Sequence, residues 1–123
     1  MPSNPRILFV DDDTSLNRIL LKILTDQGYH VDVAMDGLTA LNKLQTNHYD
    51  AAIMDNNLPE MNAIDVLKKV HDKNVTRKVI MITAVDEHEL SRESAQLGIR
   101  AVLAKPFDMD TVISTINQVC QSE

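Results

Sequence analysis

The chain has 123 residues, 44% of them hydrophobic and 24% charged, enough apolar content for one folded core and too much for intrinsic disorder. Its formal charge of −6 points away from direct nucleic-acid binding, which requires a concentrated basic face. A lone cysteine, Cys120, precludes an intramolecular disulfide, and no apolar run approaches the roughly 20 residues that span a membrane. The opening residues Met1 to Pro5 lack the charged-then-apolar pattern of a leader peptide, so a soluble, cytoplasmic domain over residues 1–123 is expected.

In chain order, the first element is the apolar run Ile7-Leu8-Phe9-Val10, a strand that ends in the acidic triplet Asp11, Asp12 and Asp13. Leu16, Ile19, Leu20, Ile23 and Leu24 then recur at helical spacing, with Thr14 or Ser15 able to cap the helix and Gly28 able to end it. A second strand centres near Val31. Asp36-Gly37 reads as a turn, followed by Leu38, Leu41 and Leu44 on one face of a second helix. The third strand, Ala51 to Met54, ends in Asp55, and a third helix starts near Glu60 and carries Ile64, Leu67 and Val70. The fourth strand, Val79 to Ile82, ends in Thr83.

The next segment, 86–97, offers only Leu90, Ala95 and Leu97 for burial. It reads as a weakly held helix, either a marginal surface element or a movable one beside Thr83. A fifth strand, Ala101 to Ala104, ends in Lys105. The last helix runs from about Asp108 through Val112, Ile113, Ile116 and Val119, with Asp108 and Asp110 complementing its dipole. Lys68, Lys69, Lys73, Arg77 and Lys78 form a loose basic stretch with no aromatic to stack on bases, a solvated helix end.

Five strand-then-helix units imply an α/β fold, a doubly wound five-stranded parallel sheet flanked by five helices. Unbroken apolar runs fit strands covered on both sides. In the flavodoxin-like order 2-1-3-4-5, ligands bind beyond the carboxyl ends of the strands, where the order reverses. Strand one then lies beside strand three, and Asp11, Asp12 and Asp55 become neighbours. Two unit charges about 4 Å apart repel by roughly 4 kcal/mol at an effective dielectric near 20, so the cluster requires a shared proton or a cation. A hard divalent ion, Mg²⁺ above all, suits carboxylates, carbonyls and waters.

Lys105 supplies a compact positive charge for a phosphoryl oxygen, and Thr83 supplies a hydroxyl. A carboxylate can serve as the covalent nucleophile of phosphoryl transfer. The histidines His30, His48, His71 and His88 show no ligand spacing, and the isolated Gly28, Gly37 and Gly98 form no phosphate-binding loop.

Together, Val10-Asp11-Asp12, the run from Met54 to Met61, Thr83-Ala84 and Lys105-Pro106-Phe107 resemble the response-regulator receiver domain, the phosphoacceptor half of bacterial two-component systems. The resemblance covers essentially the whole chain. It implies that Asp55 is phosphorylated by a sensor histidine kinase or a phosphotransfer protein. It also implies that Asp12, Asp55 and the backbone carbonyl of Asn57 hold Mg²⁺, with Asp11 supporting the metal directly or through water. Lys105 is then expected to pair with the phosphoryl group, Thr83 to bond to it on arrival, and the bond before Pro106 to be cis, at about 0.5–1 kcal/mol. Asp13 falls outside this set and is expected to be a turn residue or helix cap. Such a protein is a signalling switch rather than an enzyme, read by a downstream protein target or a fused output domain.

Two positions depart from the family's pattern. The aromatic usually found three residues before the lysine is Val102, too stiff and short to swing inward, so readout is expected to bypass that switch and use the loop from Thr83 to His88. The glycine common eight residues after the phosphoacceptor is Ala63, which costs about 1–2 kcal/mol if the backbone there needs φ > 0, unless Asn62 takes that position. A competing reading is a haloacid-dehalogenase-like phosphotransferase, with Asp11 as nucleophile, Asp13 and Ser15 completing its opening motif, and Asp108 and Asp110 as its late acidic pair.

Overall fold

The structure is a computed structural model that describes residues 5–58, 61–70, 78–83, 97–104 and 108–121. Its elements are β1 (Arg6–Val10), α1 (Thr14–Asp26), β2 (His30–Ala34), α2 (Gly37–Thr46), β3 (Ala51–Asp55), α3 (Ala63–Val70), β4 (Val79–Thr83), β5 (Ile99–Ala104) and α4 (Met109–Gln121). All strand pairs are parallel, in the order β2-β1-β3-β4-β5 that the sequence implies. The helix expected over 86–97 lies almost wholly outside the described residues. Among the described residues no helix is long and apolar enough to cross a membrane.

Successive strand residues face opposite sides of a sheet, and each side here has its own apolar layer. Leu8, Val10, Ala52, Met54, Val79 and Met81 pack with Ala40 and Leu44 of α2 and with Ala63, Val66, Leu67 and Val70 of α3. Ile7, Phe9, Ala51, Ile53, Ile80 and Ile82 pack with Leu20 and Leu24 of α1 and with Val112, Ile116 and Val119 of α4. β1, β3 and β4 are therefore buried on both sides, which explains their unbroken apolar runs. Each fully buried Leu, Ile or Phe contributes about 1.5–3 kcal/mol of transfer free energy to this scaffold.

Several helix boundaries and faces differ from the sequence reading. Neither Thr14 nor Ser15 caps α1; the cap is Asp13, as its place outside the metal set implied, and its carboxylate accepts the N–H groups of Ser15 and Leu16 at 3.0 and 3.1 Å. An aspartate with extended backbone reaches two orphan donors there, and Thr14 is already helical. Gly28 does end α1, with φ +97. Asp36-Gly37 is not a free turn: Asp36 caps α2 by accepting the N–H of Thr39 at 2.7 Å, and Gly37 is its first residue.

The buried side of α2 is Gly37, Ala40 and Leu44, while Leu38 is 63% exposed. In α1, Ile19 is 48% exposed and Asn17 takes a buried place with Leu20 and Leu24. α3 begins at Ala63 rather than near Glu60, which lies outside the described residues. Asn62 caps α3 by accepting the N–H of Asp65 at 2.9 Å, so Ala63 sits in right-handed helix with no need for φ > 0. α4 starts as expected, with Asp108 accepting the N–H of Thr111 at 2.7 Å. Cys120 packs, partly buried, against the α1/α4 layer, and burial pushes its thiol pKa up.

Candidate functional site

β1 and β3 run side by side with Val10 opposite Met54, so the following residues, Asp11 and Asp55, leave the two strands together. Both are buried, Asp11 completely and Asp55 to 2% exposure. The Asp11 N–H donates to the Ala34 carbonyl at 3.1 Å, carrying the β1–β2 ladder one residue further. The Asp11 carboxylate accepts the Asp13 N–H at 2.9 Å through Oδ1, folding the acidic loop back on itself. Asp55 does the same on β3, its Oδ1 accepting the Asn57 N–H at 2.9 Å. Both are Asx turns, local bonds that short acidic side chains make readily with backbone two residues on.

The β3–α3 connection is tied down on two sides. The Asn56 N–H donates to the Ile82 carbonyl at 2.8 Å, and its Oδ1 accepts the Ile64 N–H at 3.4 Å. Asp55 lies opposite Ile82 in β4, so Thr83, buried at the end of that strand, stands at the same rim. Three of the four expected strand ends are thus brought together. Lys105 and Pro106, with its expected cis bond, lie outside the described residues.

One carboxylate oxygen each from Asp11, Asp12 and Asp55 lies within 4.8 Å of the other two, with Asp12 exposed and the others buried. At that distance the buried Asp11–Asp55 pair repels by about 3–4 kcal/mol at an effective dielectric near 20. The donor set fits Mg²⁺: all oxygen, divided between two strand ends, with Asp12 exposed to the water that such an ion keeps in its coordination shell. Asn57 is held at this rim through its bond to Asp55 and is itself exposed. Val102 pairs with Met81 across β4 and β5 and packs, half-buried, on the α2/α3 layer.

Asn17 is a site-proximal residue that the sequence reading passed over. Its Nδ2 donates to the Asp11 carbonyl at 2.9 Å. The signal was present: Asn17 sits one turn before Leu20 and two before Leu24, on the side of α1 that the apolar residues mark as buried.

Residues 7–117 match the family described as the response regulator receiver domain. Sporulation initiation phosphotransferase F of Bacillus subtilis is 34% identical over 117 residues, covering 94% of this chain and 93% of its own. Among solved structures, the receiver domain of the Francisella response regulator 1452 superposes with a TM-score of 0.86 at 31% identity, covering 96% of this chain and 98% of its own. The response regulator TrrA of Thermotoga maritima, solved in complex with Mg²⁺ and BeF, superposes with a TM-score of 0.79 at 27% identity, covering 94% and 98%. The chain belongs to the response regulator receiver domain family and is a module of two-component signal transduction.

The alternative phosphotransferase reading is set aside on two grounds. The family match spans nearly the whole chain. Two of the acids that reading needs besides Asp11 are otherwise engaged, Asp13 as the cap of α1 and Asp108 as the cap of α4.

Proposed function

We propose that Asp55 is the phosphoacceptor of this receiver and that Asp11, Asp12, Asp55 and the backbone carbonyl of Asn57 hold Mg²⁺ beside it. The observation that carries this reading is the meeting of three carboxylate oxygens within 4.8 Å, one of them on the last residue of the central strand β3. The Mg²⁺ and BeF bound to the TrrA structure support it. When bound, the metal neutralises charge on the phosphoryl oxygens.

In the transfer step a carboxylate oxygen of Asp55 attacks the phosphorus of a phosphohistidine on a sensor kinase or phosphotransfer protein. A phosphorus–oxygen bond forms, the phosphorus–nitrogen bond breaks, and its electron pair leaves on the imidazole nitrogen. The Asx turn at Asn57 fixes one Asp55 oxygen and so orients the other. Thr83 and Lys105 bond to the arriving phosphoryl group, and hydrolysis of the mixed anhydride restores the carboxylate. The new charge and its bonds bias the surface around β4 and β5 for a downstream protein or a fused output domain. With Val102 in place of an aromatic, that readout passes through the segment after Thr83. The whole of residues 1–123 acts as one cytoplasmic switch without turnover of a separate substrate.

The test is incubation with a small phosphodonor, with and without Mg²⁺, followed by intact-mass measurement. The reading predicts a labile gain of one phosphoryl group that requires Mg²⁺ and is lost in Asp55→Asn. A gain that persists in Asp55→Asn overturns it.

A further inference from the structure

Asn17 is 6% exposed, and its side chain is half satisfied. Nδ2 donates to the Asp11 carbonyl at 2.9 Å, whereas Oδ1 is buried with no hydrogen-bond partner. A buried acceptor without a donor costs stability, and an apolar residue would suit a place beside Leu20 and Leu24 better. An asparagine kept at such a position serves something other than the core.

Its one bond falls on the loop that carries the acidic pair. The peptide joining Asp11 to Asp12 is planar, so fixing the Asp11 carbonyl also fixes the direction in which the chain enters Asp12. Asp12 depends on that peptide, because its exposed carboxylate makes no hydrogen bond among the described residues. The neighbouring residues are already pinned. Asp11 is held through its own N–H and Oδ1, Asp13 caps α1, and the Asn17 N–H closes on the Asp13 carbonyl at 3.0 Å. The Asn17 amide adds the one side-chain bond reaching into this loop from the body of α1 among the described residues.

We infer that Asn17 is a positioning residue for the metal site, holding the Asp11–Asp12 peptide so that Asp12 is presented to a divalent cation together with Asp11 and Asp55. The inference rests on the metal-site reading above. It predicts a separation of effects: removing the amide harms cation binding far more than it harms the fold.

The experiment titrates Mg²⁺ into wild type, Asn17→Leu and Asn17→Gln by calorimetry, with thermal melting of each in the absence of metal. Asn17→Leu should melt cooperatively near wild type while its Mg²⁺ dissociation constant rises about tenfold, the lower end of what loss of a ligand-orienting group costs. Asn17→Gln, which keeps the donor, should recover most of the affinity. A folded Asn17→Leu that binds Mg²⁺ as tightly as wild type overturns the inference and leaves the metal site standing, whereas wild type that binds no Mg²⁺ overturns both. A measurement on the unaltered protein covers the case in which the variants do not fold. The side-chain amide resonances of Asn17 should shift on Mg²⁺ addition in step with the Asp12 backbone amide, and invariance of the Asn17 resonances contradicts the inference.

Discussion

Replacing Asp55 by Asn should make the metal-free protein more stable. The substitution is nearly isosteric and keeps an oxygen for the Asn57 N–H, which Asp55 Oδ1 now accepts at 2.9 Å. It removes one of two buried charges whose oxygens lie within 4.8 Å, a repulsion of about 3–4 kcal/mol at an effective dielectric near 20. The charged Asp55 oxygen accepts the Asn57 N–H more strongly than an amide oxygen does, which offsets part of the relief, so a net gain of about 1–3 kcal/mol is expected. For a domain of this size that raises Tm by roughly 3–10 °C.

Mg²⁺ should reverse the order. Binding adds RT ln(1 + [Mg²⁺]/Kd) to the wild type, about 2.7 kcal/mol at a hundredfold excess over Kd, and much less to a variant lacking one ligand. The assay is urea unfolding followed by far-UV circular dichroism, because the chain has no tryptophan to report by fluorescence. Each protein is measured in chelator and in saturating Mg²⁺. An Asp55→Asn variant no more stable than wild type in chelator, or a stability gap that ignores Mg²⁺, refutes the electrostatic account of the site.

Further outcomes follow from the surrounding scaffold. A Cβ on Gly37 would stand 2.1 Å from the Met61 carbonyl oxygen and 3.0 Å from its carbonyl carbon, both backbone atoms. Gly37→Ala should therefore destabilise by about 1–3 kcal/mol despite its better helix propensity, read by chemical denaturation; unchanged stability would show that the α2 and β3–α3 backbones move apart freely. Asp36 and Asp108 have pKa values held below 3.8 by the N–H groups of Thr39 and Thr111 that they accept. A carboxylate with a lowered folded pKa lends stability above its unfolded pKa and loses it as pH falls through the folded value. Stability should then drop as pH falls below 3.8, and Asp36→Asn with Asp108→Asn, which cap without titrating, should flatten that limb of the melting curve against pH.

What the sequence made legible is the part governed by period and by strand ends. β1, β3 and β4 are continuous apolar runs because both sides of the sheet are covered, so their ends, and with them Asp11, Asp55 and Thr83, could be placed in advance. Helix faces were harder to read, because close packing selects small residues as well as large ones. Gly37 and Ala40 line the buried side of α2 with Leu44, and Leu41 packs beside them, whereas Leu38, expected on the same face, is exposed. Asn17 was obscured by its polarity, although its spacing matched Leu20 and Leu24. Asp13 shows how far the motif reaches: three consecutive acids are chemically alike, yet the family pattern already set Asp13 apart from Asp11 and Asp12, and the geometry after Val10 gives it the cap of α1.

The most direct test of the central claim is chemical identification of the modified residue. After treatment with a phosphodonor and Mg²⁺, borohydride reduces an aspartyl phosphate to homoserine, and peptide mass spectrometry locates it. The account predicts homoserine at position 55 alone, formed only when Mg²⁺ is present. Homoserine at position 11, or a stable phosphate on a hydroxyl side chain, contradicts it.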